Sequence, residues 1–122
     1  MNVRFHGHGQ LTGEASDVVE REVDRLDRRL DAMNDELRRL DIAVERSHRD
    51  GSHTARLLLE LPARHLITTG TGPTRATALR NAFRDLDRAL ETWLARLRRE
   101  PEARRAAHIR ETVETAADTA RT

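Results

Sequence analysis

Residues 38–71 decide the fold, and their sequence is RRLDIAVERSHRDGSHTARLLLELPARHLITTGT. Leu40, Ile42 and Val44 alternate with polar residues, a period of two that predicts a strand with one buried face. An Asp-Gly pair in the polar segment that follows is a hairpin-turn signal. We therefore predict an antiparallel meander of three strands, which span 38–46, 54–61 and 65–71.

One strand and two amphipathic helices surround this meander. Residues 3–8 alternate as a short strand does, and Thr12 or Ser16 is placed to cap the helix that follows. That helix, 14–33, has apolar residues every three or four positions. Its stripe consists of Val19, Val23, Leu26, Leu30 and Met33. A second helix over 74–99, capped by Thr74 and ended by Pro101, repeats the spacing. Its stripe consists of Leu79, Phe83, Leu86, Leu90, Trp93 and Leu97.

The order β-α-β-β-β-α predicts an α+β fold, a four-stranded sheet with two helices packed on one face, plus a C-terminal tail. The strands 3–8 and 38–46 are joined through a helix, so we expect a right-handed crossover if they are parallel neighbours. We expect one domain over 1–100. Residues 101–122 have few large apolar side chains, so we expect a tail that is flexible or is ordered by a partner.

The composition of the 122 residues limits the function. Charged residues make up 35%, above the usual ~25%, and the 22 basic residues are all Arg against 21 acids. Cysteine is absent and no apolar run is long enough to span a bilayer, so we expect no disulfide, thiolate metal site or membrane partner, and a cytoplasmic location. Arg is suited to phosphate because its planar fork binds bidentately.

The arginines are unevenly distributed between the two predicted helices. The segment 74–99 has seven Arg and three acids, whereas 14–33 has four Arg and seven acids. Arg80, Arg84 and Arg88 are four residues apart, so they line one face of a helix. The chain has only three aromatic residues, which argues against reading of single strands by base stacking. The pattern favours contact with the phosphates of folded RNA.

Several segments resemble one known family over residues 3–107. Four segments are similar to those of the bacterial ribosome hibernation factors, the ribosome-associated inhibitor (protein Y) and the hibernation-promoting factor. They are the helix beginning Asp17-Val18-Val19-Glu20-Arg21, the strand end Ala43-Val44-Glu45-Arg46, the strand start His53-Thr54-Ala55-Arg56-Leu57 and the helix 78–90. The tail segment Glu102-Ala103-Arg104-Arg105-Ala106-Ala107 resembles the start of the inhibitor-type tail. The chain departs from the family at Thr74-Arg75-Ala76, Glu22 and Asp85.

The resemblance implies a short-type factor that binds the small ribosomal subunit and its rRNA at the mRNA and tRNA sites and blocks translation under stress. It implies no enzyme activity, no cofactor and no DNA partner, and we expect the free protein to be a monomer. Whether bound ribosomes dimerise, and how release occurs, stays open. The candidate rRNA-binding residues are Arg80, Arg84, Arg88, Arg96, Arg98, Arg99, Arg104 and Arg105, with Arg21, Arg25, Arg28, Arg29, Arg46 and Arg49 as secondary candidates.

Other interpretations of these residues remain open. The Arg stripes are also typical of solvated helix faces with ion pairs at i,i+4. The histidines have no recognisable zinc spacing, and no serine lies in a nucleophile-elbow motif. Residues 70–74 lack the Gly-Lys-Ser/Thr core of a phosphate loop. The main alternative is therefore a protein-binding or self-associating α+β module that uses its open sheet face or the apolar residues Trp93 and Leu97.

Overall fold

A computed structural model describes residues 1–7, 11–30, 38–62 and 64–99, with side chains to residue 97. The elements follow the predicted order and confirm the α+β fold. They are β1 (Asn2–His6), α1 (Gly13–Arg29), β2 (Arg39–Arg46), β3 (His53–Leu61), β4 (Arg64–Gly72) and α2 (Arg75–Arg99). Each of the four strands and two helices starts within one residue of its predicted start. Met33, Arg104 and Arg105 lie outside the described residues.

The four strands form one sheet in the order β1-β2-β3-β4. β1 is parallel to β2, and the β2-β3-β4 meander is antiparallel, as predicted. The register aligns the apolar residues in rows across the sheet, because partners on neighbouring strands point to the same side. Two such rows are Leu40–Leu59–Leu66 and Ile42–Leu57–Thr68.

Both helices pack on the face that carries these rows. The core contains Leu26 and Leu30 from the α1 segment and Leu79, Phe83, Leu86 and Leu90 from α2, all nearly inaccessible to solvent. No described helix covers the opposite face of the sheet, which we call the open face, and Ile67 on it is 67% exposed. The described part of residues 1–90 therefore has two layers, a helix layer and the sheet.

The backbone of α2 lies directly against β4 at Gly70. A Cβ atom at Gly70 would come within 2.3 Å of the Ala82 nitrogen and 2.4 Å of the Ala78 oxygen. Next to this contact the hydroxyl of Thr68 donates to the Ala82 carbonyl oxygen at 3.0 Å. Only glycine allows so close an approach, which sets the distance between the helix layer and the edge of the sheet.

Three details of the elements differ from the sequence-based expectations. β1 stops at His6 because Gly7 adopts a left-handed φ of 114°. α1 ends at Arg29, before the predicted residue 33, since Leu30 leaves the helical conformation. Val18, which lies off the predicted stripe, is buried, whereas Val23 on that stripe is only half-buried. A helix that contacts both the sheet and a second helix buries a wider arc than a single stripe.

A buried arginine closes the end of α1. Arg38 is 5% exposed, and its guanidinium donates to the carbonyl oxygens of Asp27 at 3.3 Å and Leu30 at 2.9 Å. These carbonyls have no partner within the helix, so the charged donor satisfies them where a glycine often does. Sequence reasoning placed Arg38 at a strand start and gave it no role.

The compact unit that carries this core comprises Met1–Leu90, and a second unit begins at Glu91. The predicted boundary at residue 100 remains a prediction. Trp93 and Leu97 in the second unit are half-buried. Among the described helices, none combines the length and the apolar character needed to cross a membrane.

Candidate nucleic-acid interface

Arg84 and Arg88 form the clearest cationic pair on the helix layer. They lie four residues apart on α2, on the side away from the buried residues Phe83 and Leu86, and both are exposed. Arg84 has no ion pair within the described residues, and Arg88 approaches only Asp85, at 4.0 Å. A separation of four residues corresponds to a rise of about 6 Å along the helix. Among the described residues, Arg84 is therefore unpaired and Arg88 is held only by its long contact with Asp85, and both guanidiniums are accessible to an external anion.

Arg80, the third member of the predicted line, points elsewhere. Its guanidinium pairs with the carboxylate of Glu14 at the start of α1. Both side chains are substantially exposed, at 44% and 66%, and exposed pairs of this kind contribute only ~0–1 kcal/mol. The predicted line of three cations thus consists of two outward-facing arginines, Arg84 and Arg88, and one arginine that pairs with the neighbouring helix.

Two arginines of α1 share one carboxylate of α2. Asp87 lies 3.2 Å from Arg29 Nη1 and 3.4 Å from Arg25 Nη2. Arg25 also contacts Glu22 at 3.3 Å, three residues before it. We call Glu22, Arg25, Arg29 and Asp87 the interhelix ion-pair cluster. Its formal charges cancel, so these two predicted rRNA-binding arginines contribute no net positive charge to the surface.

Arg21 and Arg28, the other two candidates on α1, are exposed and have no ion pair within the described part of the chain. They lie on the outer side of the same layer as Arg84 and Arg88. We call these four arginines the helix-layer surface. Asp17, Asp24 and Asp85 are also exposed on this layer, so its potential is a mosaic of both signs.

The β2-β3 hairpin carries two further candidates. Arg46 and Arg49 are exposed, and neither has an ion pair among the residues described. Asp50 holds the loop that joins β2 to β3. Its carboxylate accepts hydrogen bonds from the Ser52 amide at 2.9 Å and from the Ser52 hydroxyl at 2.7 Å. These bonds, the backbone one first, lower the pKa of Asp50 below its ordinary value of 3.8. Gly51 takes the left-handed φ of 73° that the turn requires.

The remaining candidates belong to the second unit or lie beyond the described side chains. Arg96 is exposed on α2. Arg98 and Arg99 are helical, but their side chains are outside the described set, as are Arg104 and Arg105 entirely. These five assignments stay predictions. Within the described ranges, no group of three or more metal-ligating side chains is close enough to hold an ion.

The role of Asp87 could not be recognised in the sequence. The i,i+4 spacing of charges within a helix says nothing of a partner on another helix, whereas in the structure Asp87 pairs with Arg25 and Arg29 of α1. One feature of the sequence hints at a partner on another helix: Asp87 borders the apolar stripe of α2, seven residues after Arg80. That border faces the adjacent helix, and Glu14–Arg80 and Arg25/Arg29–Asp87 show that the helices run in the same direction.

Comparisons with known proteins agree with this architecture. No family model and no curated protein matches the sequence. Among solved structures, the chain is similar to a ribosomal subunit interface protein from Coxiella burnetii, with a TM-score of 0.60 and 10% identity over 78% of this chain and 99% of that one. It is also similar to the protein Y N-terminal domain from Thermus thermophilus, with a TM-score of 0.59 and 18% identity over 76% and 99% of the chains. Likenesses at these identities show a shared fold, the one implied by the resemblance to hibernation factors.

Proposed function

We propose that this protein is a ribosome hibernation factor that binds the small ribosomal subunit and blocks translation by occupying the mRNA and tRNA sites. The observation that carries the proposal is the exposed, outward-pointing pair Arg84 and Arg88 on a fold shared with a protein Y domain and a ribosomal subunit interface protein. No substrate is transformed in this mechanism, and the protein acts in the cytoplasm as a monomer.

The physics of folded RNA supports this use of the helix layer. Structured RNA is recognised mainly through phosphates, 2′-hydroxyls and shape. One guanidinium group can donate two parallel hydrogen bonds to a phosphate. A rigid helix held by Leu79, Phe83 and Leu86 presents its arginines with little loss of backbone freedom on binding. Arg21 and Arg28 extend the same layer, and Arg46 and Arg49 are further proposed contacts. The arginines from 96 onward are proposed from the sequence alone.

The mosaic of charges makes shape important in this proposal. Acids beside the arginines weaken attraction to any extended polyanion, so binding requires phosphates at the positions of the free cations. The proposed tail contact, through Arg104 and Arg105 along the mRNA path, adds to the blockade and follows from the resemblance of the tail.

A purified translation reaction tests the proposal. The wild-type protein, in slight excess over ribosomes, should inhibit synthesis and co-sediment with small subunits at low salt. Arg84→Glu/Arg88→Glu should weaken co-sedimentation at least about tenfold, because two hydrogen bonds to charged groups are lost. No inhibition by the wild type at several-fold excess would reject the proposed function.

The open sheet face provides a matched control. Arg4 and Arg56 are exposed on that face and have no ion pair with any residue described, as for Arg84. Arg4→Glu/Arg56→Glu changes the net charge by the same amount. Because both positions lie away from the helix-layer surface, this variant should change binding less than about threefold. Equal losses in both double variants would show that net charge, rather than the helix-layer surface, governs binding.

A further inference from the structure

Asp87 holds two arginines that the sequence assigned to RNA. Its side chain is 21% exposed and its two oxygens contact one arginine each, Arg29 at 3.2 Å and Arg25 at 3.4 Å. We infer that Asp87 is a specificity-determining residue that withholds Arg25 and Arg29 from polyanions, so that unspecific RNA finds fewer cations. This inference rests on the proposed function and assigns a role to a carboxylate within the same layer.

The geometry makes Arg29 the residue most dependent on Asp87. Arg29 is 29% exposed, and Asp87 supplies its only ion pair among the residues described. Arg25 is 53% exposed and keeps Glu22 as a second carboxylate partner. Loss of the Asp87 charge therefore releases Arg29 fully and Arg25 only in part.

Withholding a cation affects different RNAs unequally. A flexible single strand binds any accessible arginine, because the phosphate term is independent of sequence and rises with each cation it neutralises. A folded surface that fits Arg84 and Arg88 is recognised through those fixed positions and gains less from an arginine between the helices. The Asp87 carboxylate therefore lowers the affinity of unspecific complexes more than that of specific ones, which is a common way to obtain specificity.

The first test is binding of a uridine oligonucleotide to the full chain at several salt concentrations. We expect Asp87→Asn to bind about five- to thirtyfold more tightly at low salt, the range that one released charge contact produces. The slope of log K against log salt should steepen by about 0.7, the value for one additional phosphate contact on a single strand. Binding to small subunits should change less than about threefold.

Asp85→Asn is the matched control. Asp85 lies on the same helix, is more exposed, and is 4.0 Å from its one arginine, Arg88. The substitution changes net charge equally, so it should tighten oligonucleotide binding by no more than about twofold and leave the salt slope unchanged. If both variants behave alike, or if Asp87→Asn has no effect, the inference is wrong.

A double variant shows that the effect passes through the withheld arginine. Asp87→Asn/Arg29→Ala should return oligonucleotide affinity and the salt slope to near the wild-type values, a coupling that a merely structural role of Asp87 would not produce. Thermal unfolding of each variant checks that the fold is retained. Failure of the proposed function is separable, because it appears as absent binding of the wild type to small subunits, whereas this inference concerns the oligonucleotide.

Discussion

The two sides of this molecule use their arginines differently. On the open sheet face, Arg39 is tied to Glu60 at 2.5 Å and to Asp41 at 3.8 Å, partners on its own and the adjacent strand. On the helix layer, the ion pairs run between α1 and α2, and Arg84 on the outside has no pair within the described residues. On the sheet face the ion pairs stay within the sheet and leave Arg4 and Arg56 unpaired among the described residues, whereas on the helix layer they join the two helices and leave Arg84 unpaired. The arrangement of charge, more than its amount, distinguishes the two faces.

The largest effect should come from separating the helix layer from the sheet. Gly70→Ala places a methyl group within 3 Å of the α2 backbone, so the helix must shift, and we expect a loss of about 3 kcal/mol in the free energy of unfolding. Urea unfolding measures it. Thr69→Ala, one residue away on the open face, should stay within about 0.5 kcal/mol. Similar losses would mean that the two faces of β4 are equally constrained.

A smaller effect should distinguish the starts of the two helices. The Thr74 hydroxyl accepts a hydrogen bond from the Thr77 amide at 3.1 Å, as predicted, so Thr74→Ala should cost about 1 kcal/mol. Thr12 precedes α1 without a side-chain cap bond, and Thr12→Ala should cost only a few tenths. Denaturant midpoints compare the two, and an equal cost would contradict this difference in capping.

Placing a charge on the open face should have still less effect. Ile67 is 67% exposed, so Ile67→Lys should alter the free energy of unfolding by less than about 0.5 kcal/mol and leave subunit binding nearly unchanged. If the protein instead used this face to self-associate or to bind a protein, the charge would disrupt that contact. Sedimentation equilibrium with and without the substitution decides between the helix layer and the alternative module.

The smallest effect concerns the pH dependence of the hairpin. The pKa of Asp50 is lowered in the folded state by its bonds from Ser52, so its stabilising contribution is present above the ordinary pKa and is lost as pH falls through the folded value. NMR titration of the Asp50 carboxyl should show a pKa below 3.8 that rises in Ser52→Ala. Because Ser52→Ala keeps the backbone amide, an unchanged pKa in that variant would show that the hydroxyl bond has no part in the shift.

Much of the fold was predictable because its signals are local. A period of two in 38–46, 54–61 and 65–71 specified the strands, and a spacing of three and four specified both helices, since only one face of each element is buried. The predictions of a hairpin turn at Gly51 and of a helix cap at Thr74 were confirmed. The end of α1 was not predictable from a local pattern, because the donor to its last carbonyls is Arg38, whose partners lie 8 and 11 residues before it.

The sequence by itself determined which elements form, where their apolar stripes lie, and that arginine is the only abundant cation. Tertiary structure decided which arginines remain free. The sequence gives no reason to treat Arg25, Arg29 and Arg84 differently. In the structure, the position of Asp87 between two parallel helices pairs the first two, and Arg84 has no ion pair among the described residues. Ion pairing acts over a few ångströms, so it depends on helix packing that no local pattern encodes.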